Sequence, residues 1–255
     1  MFSRRLLGSA FANAFLVASL VVPSAALAGK QDEELAPGFS QCVKQAGSSE
    51  HALNSCLNEA GSYWHTRLRE LNRETGSSCS QNLQLLLRTY IVSWLQYKDA
   101  GIDLVYAGGG DRQDTRALAF SVEETKRQAR MLENFMFDGN KEELAPGYEL
   151  CQKKAESASC AAELREISDG CLKSAKDYWE GVISQQYDRY MRFWQDSPEK
   201  QQSMQNFQKA WTAYRDAGYR FVSGKGGSMA GTSAETFRVR ETRRHAQNIT
   251  SLGLH

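Results

Sequence analysis

Residues 94–101 read WLQYKDAG and residues 211–218 read WTAYRDAG, so one segment recurs at an offset of 117 positions. The repetition extends outward, because EELAPGF at residues 33–39 returns as EELAPGY at residues 142–148. Chance does not align so many uncommon residues in the same order. We conclude that the chain contains a duplicated module, and that its function suits a unit that is useful twice or works as a pair.

Each repeated segment lies in an amphipathic helical pattern. Large apolar or small residues recur every three or four positions around Trp94 and Tyr97, and again around Trp211 and Tyr214. This spacing places them on one face of a helix. A stripe of aromatic residues can also line a ligand pocket, but packing is its usual role. We therefore predict that each stripe forms the core of its own copy.

Glycine-rich turns and a last helix follow each stripe. The turns are predicted at residues 108–110 and 224–231, because glycine has little preference for the helix. The last helix is predicted over about residues 115–135 and again over about 233–252. Alternation of β-branched residues is nearly absent. The sequence predicts an all-α fold of two tandem, small, disulfide-stapled helical bundles.

The first 28 residues have the layout of a secretory signal peptide. Two arginines precede an apolar run over residues 6–22, and a small-x-small site ends at Ala28. The run is shorter than the ~20 residues that a membrane span needs. We expect cleavage near Ala28, a periplasmic or secreted location, and no membrane span in the mature chain. The first helical module is predicted at residues 29–138 and the second at residues 139–255.

The cysteines indicate disulfides. They are Cys42, Cys56, Cys79, Cys151, Cys160 and Cys171. An oxidising compartment makes disulfides the default. Cys42 with Cys56 and Cys151 with Cys171 are the pairs that recur, so we predict these two bonds. The other two cysteines have no counterparts, and they either bridge the copies or stay free. No Cys-x-x-Cys occurs and no histidine recurs near a cysteine, which disfavours a redox or metal site.

Charge and motifs argue against several classes of function. The chain has 31 basic and 30 acidic residues, whereas nucleic-acid binding usually demands a basic excess. No nucleophile elbow, phosphate-binding loop or His-Glu-x-x-His helix occurs. The four histidines do not repeat, and we interpret His245 as a surface residue. Asp99 and Asp216 are expected to form structural ion pairs with Arg127 or Arg244. We predict that the protein is not an enzyme and needs no cofactor.

The chain resembles the domain family named after the lysozyme inhibitor LprI. The residues that carry the resemblance, beside the paired cysteines and the Gly-Gly loop, are Trp94, Tyr97, Asp99, Thr125, Trp211, Tyr214, Asp216 and Thr242. It covers nearly the whole mature chain as two copies. The arginine that the family usually has three residues after the threonine is Gln128 or His245 here.

The resemblance implies an exported, helical, disulfide-bonded binding protein that inhibits lysozyme or a related peptidoglycan hydrolase. The alternative is a non-inhibitory structural or scaffolding protein of the bacterial envelope. In either case the partner is a protein. We expect recognition at the glycine-rich loops, because exposed loops commonly carry function. Asp111 and Asp114 of the first loop suit a basic cleft, whereas Lys225 makes the second loop a poorer match.

Overall fold

A computed structural model of the chain describes residues 34–133, 144–157, 159, 161–227 and 230–252. The helices in these ranges are α1 (Phe39–Ala46), α2 (Glu50–Ser78), α3 (Gln81–Gly108), α4 (Gln113–Glu133), α5 (Tyr148–Glu156), α6 (Ala161–Phe193), α7 (Pro198–Gly224) and α8 (Ala230–Leu252). No strand occurs among the described residues, which confirms the all-α fold. The predicted signal peptide and the junction of the two modules near residue 138 lie outside these residues.

Local sequence signals explain where the long helices begin and end. The Oγ atom of Ser49 accepts a hydrogen bond from the backbone N–H of Ala52 at 3.2 Å, which caps α2. Pro198 occupies the first turn of α7, where its missing N–H costs nothing. After α3, Gly109 has a φ angle of 71°, a backbone conformation that residues other than glycine rarely adopt. None of the described helices is long and apolar enough to cross a membrane.

The two recurring disulfides are confirmed. Cys42 bonds Cys56 and joins α1 to α2, and Cys151 bonds Cys171 and joins α5 to α6. Closing a loop of this size typically stabilises a protein by about 2–4 kcal/mol. Cys79 forms no disulfide with the other described cysteines. Cys160 lies outside the described residues, so its pairing with Cys79 stays a prediction.

The segment that leads each copy is held by a tryptophan. The indole N–H of Trp64 donates to the backbone carbonyl of Leu35 at 2.6 Å. In the second copy, the indole of Trp179 donates to the carbonyl of Leu144 at the same distance. The same contact is therefore made in both copies, although its partners are 29 residues apart in the first copy and 35 residues apart in the second.

The two stripe helices pack against each other. Tyr97 stacks on Phe207 and Tyr214, with ring centroids 5.0 and 5.4 Å apart. Tyr90 stacks on Tyr214 and Phe221, at 5.4 and 5.7 Å. Tyr97, which follows Tyr90 along α3, contacts an earlier part of α7 than Tyr90 does. The two helices therefore run antiparallel. In the first copy α4 packs against both α2 and α3, and in the second copy α8 packs against both α6 and α7.

The expectation that each copy has its own core is therefore corrected. Residues of both stripes belong to one hydrophobic core, which includes Trp94, Tyr97, Trp211 and Tyr214. The physical reason lies in the packing of α3. One part of its stripe is covered by α4, but the aromatic face that remains is covered by α7 of the other copy. A smaller cluster around Leu172 lies apart from this shared core.

The last glycine of each repeated segment permits a close approach. A Cβ atom on Gly101 would overlap the ring of Phe120, and one on Gly218 would overlap the ring of Phe237. The Cβ of Gly218 would also lie 2.8 Å from the ring of Tyr90 in the other copy. These glycines let α4 and α8 lie tightly against the stripe helices.

Candidate functional site

Two buried acids and two partly buried arginines form a cluster between the copies, which we call the ionic quartet. It consists of Glu124 and Arg127 on α4 with Glu241 and Arg244 on α8. Arg127 donates to Glu124 at 2.6 Å and to both carboxylate oxygens of Glu241 at 2.6 and 2.7 Å. Arg244 donates twice to Glu124, at 2.7 and 2.9 Å. Each arginine thus bonds to an acid of the other copy.

Glu124 and Arg127 of the quartet are charged at neutral pH. Burial alone would raise the pKa of Glu124, but the charges of Arg127 and Arg244 outweigh it and lower the pKa to about 2. Burial alone would lower the pKa of Arg127, but Glu124 and Glu241 raise it well above its ordinary value. The Glu124 side chain is only 1% exposed. A buried carboxylate that is paired in this way has no proton to donate and no access to substrate, so the quartet is structural.

The predicted ion pairs of the repeated aspartates are wrong. Arg127 and Arg244 pair with the glutamates of the quartet, whereas Asp216 pairs with its neighbour Arg215 at 2.9 Å. Asp99 is exposed, because it follows the buried Tyr97 and Lys98 on α3 and therefore faces away from the core. The sequence did contain an indication of the glutamate–arginine pairs, because the motif Glu-Thr-x-Arg occurs at residues 124–127 and again at residues 241–244.

The interpretation of His245 as a surface residue is also wrong. The imidazole is fully buried and stacks on Trp211, with ring centroids 4.3 Å apart and planes 3° apart. Its Nε2 atom lies 2.7 Å from the amide oxygen of Gln208. Burial lowers the pKa of His245 well below its ordinary value, so the ring is neutral. His245 lies three residues after the buried Thr242, so both side chains are on the same buried face of α8.

A concave surface of the second copy carries several charges, and we call it the charged groove. It has a volume of about 390 Å³ and is lined by Lys176 and Glu180 of α6, by Arg215, Asp216, Tyr219 and Arg220 of α7, and by Arg238 of α8. Sequence reasoning missed this groove, because its residues are distributed over three helices. Within the described ranges, no group of three or more His, Cys, Asp or Glu side chains is placed to hold a metal ion.

One known protein family matches part of the chain. Residues 151–248 match the family Lysozyme inhibitor LprI. The LprI match begins at Cys151, which forms the second disulfide, and ends within α8. It includes all residues that line the charged groove and two members of the ionic quartet, Glu241 and Arg244. It confirms the resemblance for this part of the chain. No curated protein and no solved structure matches the chain.

The first copy lies outside the LprI match. Its assignment to the same family rests on the sequence repeat and stays a prediction. The structure adds that Trp64 and Cys42 make the same contacts as Trp179 and Cys151 in the LprI-matched region. Glu124, like Glu241, accepts hydrogen bonds from an arginine of the other copy.

The two glycine-rich loops lie at opposite ends of the α3–α7 pair. Gly108 lies beside Trp194, which precedes α7, and Gly224 lies beside Leu83 and Leu86 near the start of α3. Because α7 has 27 residues, the ends are about 40 Å apart at 1.5 Å per residue. Only the second loop belongs to the LprI-matched region.

The predicted partner-binding residues are at the surface. Asp111 is exposed in the turn between α3 and α4, and Asp114 is exposed in the first turn of α4. Burial and a hydrogen bond to Asp114 raise the pKa of Tyr106. Lys225 is exposed directly after α7. The second loop is shorter than expected, since α8 begins at Ala230, and residues 228–229 lie outside the described part.

Proposed function

We propose that the protein is an exported binding protein that inhibits lysozyme or a related peptidoglycan hydrolase. The observation that carries this proposal is the match of residues 151–248 to the lysozyme-inhibitor family. Members of that family are exported, and the family is one of inhibitors rather than catalysts. The layout of residues 1–28 supports export of this chain.

The fold supports a binding role through its rigidity. A shared aromatic core, the ionic quartet and two disulfides hold the long helices, so the turns at their ends are presented on a fixed frame. Little conformational entropy is then lost when a partner binds a turn. We place the inhibitory contact at residues 108–114, where Asp111 and Asp114 offer exposed carboxylates to a basic cleft. Charges of this kind mostly tune the association rate and its salt dependence.

A lysozyme turbidity assay tests the proposal. The mature wild-type protein should slow lysis of a bacterial cell-wall suspension at micromolar concentration, and Asp111→Lys/Asp114→Lys should weaken this inhibition, most clearly at low salt. The matched control is Asp169→Lys/Asp188→Lys, which makes the same charge change at two exposed positions of α6.

Two outcomes contradict parts of the proposal. No inhibition by the wild type across hydrolases of several origins rejects the inhibitor. Inhibition that the loop variant retains in full rejects residues 108–114 as the contact, and leaves the inhibitor to act through another surface.

A scaffolding role in the envelope is the second candidate. The observation that favours it is the separation of the two loops by about 40 Å along α3 and α7, which prevents one small cleft from meeting both. A protein with two separate ends suits the bridging of two partners. Cross-linking of the mature protein in cell envelopes should then yield a ternary species, and this should occur without inhibition of hydrolase activity.

A further inference from the structure

We infer that the charged groove of the second copy binds a small multivalent anion, a ligand that carries two or more carboxylate or phosphate groups. This site is independent of the proposed hydrolase contact. Four cationic side chains line the groove, namely Lys176, Arg215, Arg220 and Arg238, against the carboxylates of Glu180 and Asp216. The lining residues therefore carry an excess of two positive charges, although Arg238 also donates to Glu235, which lies outside the lining, at 3.2 Å.

Two of the arginines are held in place before any ligand binds. The guanidinium of Arg215 lies over the ring of Trp211 at 4.7 Å, and it also bonds to Asp216. The guanidinium of Arg238 lies over the ring of Tyr219 at 4.0 Å. Stacking fixes the plane of a guanidinium, so less rotamer entropy is lost when it donates to an oxyanion.

The other two cations are more available. Arg220 is exposed, and no ion pair is recorded for it in the described part of the chain. The Nζ atom of Lys176 lies 3.5 Å from a carboxylate oxygen of Glu180. A surface ion pair of this kind contributes little to stability. An anion that enters the groove can therefore gain hydrogen bonds from both without breaking a strong internal contact. The Nε atom of Arg238 is buried and has no hydrogen-bond partner among the described residues.

The first copy shows that the fold does not require these charges. The positions of the first copy that correspond to the groove hold Gly61, His65, Lys98, Asp99, Ile102, Asp103 and Ser121. Arg220 is thus replaced by an acid and Arg238 by a serine. Residues with a structural role recur in both copies, as Trp94 and Trp211 do. Among the cations of the groove only Arg215 has a cationic counterpart, Lys98. The other three do not recur, which indicates a role that only the second copy performs.

Size and polarity define the class of ligand. A volume of about 390 Å³ falls in the range of about 300–1,000 Å³ that small-molecule sites occupy. The lining is almost entirely charged, so an apolar ligand would bury these groups without compensation. Arginine and lysine both donate to carboxylate and phosphate oxygens, and the net charge of the lining matches a ligand with two or more negative charges.

Isothermal titration calorimetry of the mature protein tests the inference, with citrate and pyrophosphate as separate probes at constant ionic strength. We expect one equivalent of at least one probe to bind, and we expect binding to weaken as salt rises. Arg220→Glu should weaken binding by at least ~10-fold, the loss expected for a charge-assisted hydrogen bond. The matched control is Arg88→Glu, an exposed arginine of α3 outside the groove.

The probes and variants distinguish the outcomes. Binding of citrate supports a carboxylate ligand and binding of pyrophosphate supports a phosphate ligand. Absence of binding by both overturns the inference, and so does a loss in Arg88→Glu equal to that in Arg220→Glu, since that result indicates diffuse charge attraction. Circular dichroism melts should show that both variants fold as the wild type does.

Discussion

Tyr97 and Tyr214 stack at the centre of the molecule, with ring centroids 5.4 Å apart and planes 6° apart. They are equivalent residues of the two copies, 117 positions apart. The contacts around them are reciprocal, because Arg127 bonds Glu241 while Arg244 bonds Glu124. The copies therefore meet through the same surface on both sides, which is the relationship found in a two-fold symmetric dimer. The duplicated chain is built like a dimer whose subunits have been joined.

Separate halves of the chain should depend on each other for stability. Residues 29–138 and residues 139–255, expressed apart, expose the aromatic stripes that cover each other in the whole chain. We expect the equimolar mixture to form a heterodimer with a cooperative thermal transition at a higher temperature than either half shows alone. Calorimetry and size-exclusion chromatography measure this. If one half alone is a monomer with the melting temperature of the mixture, the shared core is not needed for folding.

Removal of a stripe tryptophan should destabilise the whole protein. Trp94 is 1% exposed, and Trp94→Ala leaves a large cavity in the shared core. We expect a loss of about 3–5 kcal/mol in the free energy of unfolding, measured by urea denaturation. Val92→Ala on the exposed side of the same helix is the control and should change the stability far less. A comparable loss in both variants would place Trp94 outside the core.

Breaking the ionic quartet should cost more than breaking a surface ion pair. Arg127→Ala leaves Glu124 and Glu241 buried with fewer partners, for which we expect a loss of about 3–5 kcal/mol in the free energy of unfolding. Lys173→Ala removes the exposed pair with Asp177 and should have no measurable effect. Chemical denaturation of both variants gives the comparison. Equal stability of Arg127→Ala and the wild type would contradict a stabilising role for the quartet.

The buried histidine should make the stability depend on pH near neutrality. The pKa of His245 is lowered in the folded state, so the unfolded chain binds more protons below its ordinary pKa of about 6.5. Stability is therefore fully present above about pH 6.5 and is lost as the pH falls below that value. Glu124, with a folded pKa of about 2 against an ordinary 4.5, adds a separate loss between about pH 4.5 and 2.

His245→Gln tests this assignment, because glutamine occupies the equivalent position 128 in the first copy. The variant should show a smaller loss of stability between pH 7.5 and 5.5 than the wild type, as measured by thermal melts. Some dependence should remain, since burial also lowers the pKa of His65. His51→Gln, at an exposed position, should keep the wild-type dependence. An unchanged profile in His245→Gln would show that His245 is not the titrating group.

Regular spacing is what made parts of the structure predictable. The helical class follows from the period of the stripe around Trp94, and the disulfides of Cys42 and Cys151 follow from their recurrence in both copies. These relationships join residues that are near each other in the sequence or that recur in both copies, so the sequence alone reveals them. The pairing of Arg127 with Glu241 was not predicted, because an arginine at the surface and one that reaches into the other copy have the same spacing within α4.

The sequence by itself determined the duplication, the helices, their glycine turns and the two disulfides, since these depend on neighbours along the chain or on a pattern seen twice. Only the tertiary structure decided that Tyr97 packs on Tyr214, that His245 is buried and that Arg220 joins a groove with Lys176. The physical reason is that an amphipathic stripe specifies that it must be covered but does not specify by what. Here the cover is the other copy, and that choice sets which charges are buried and which remain at the surface.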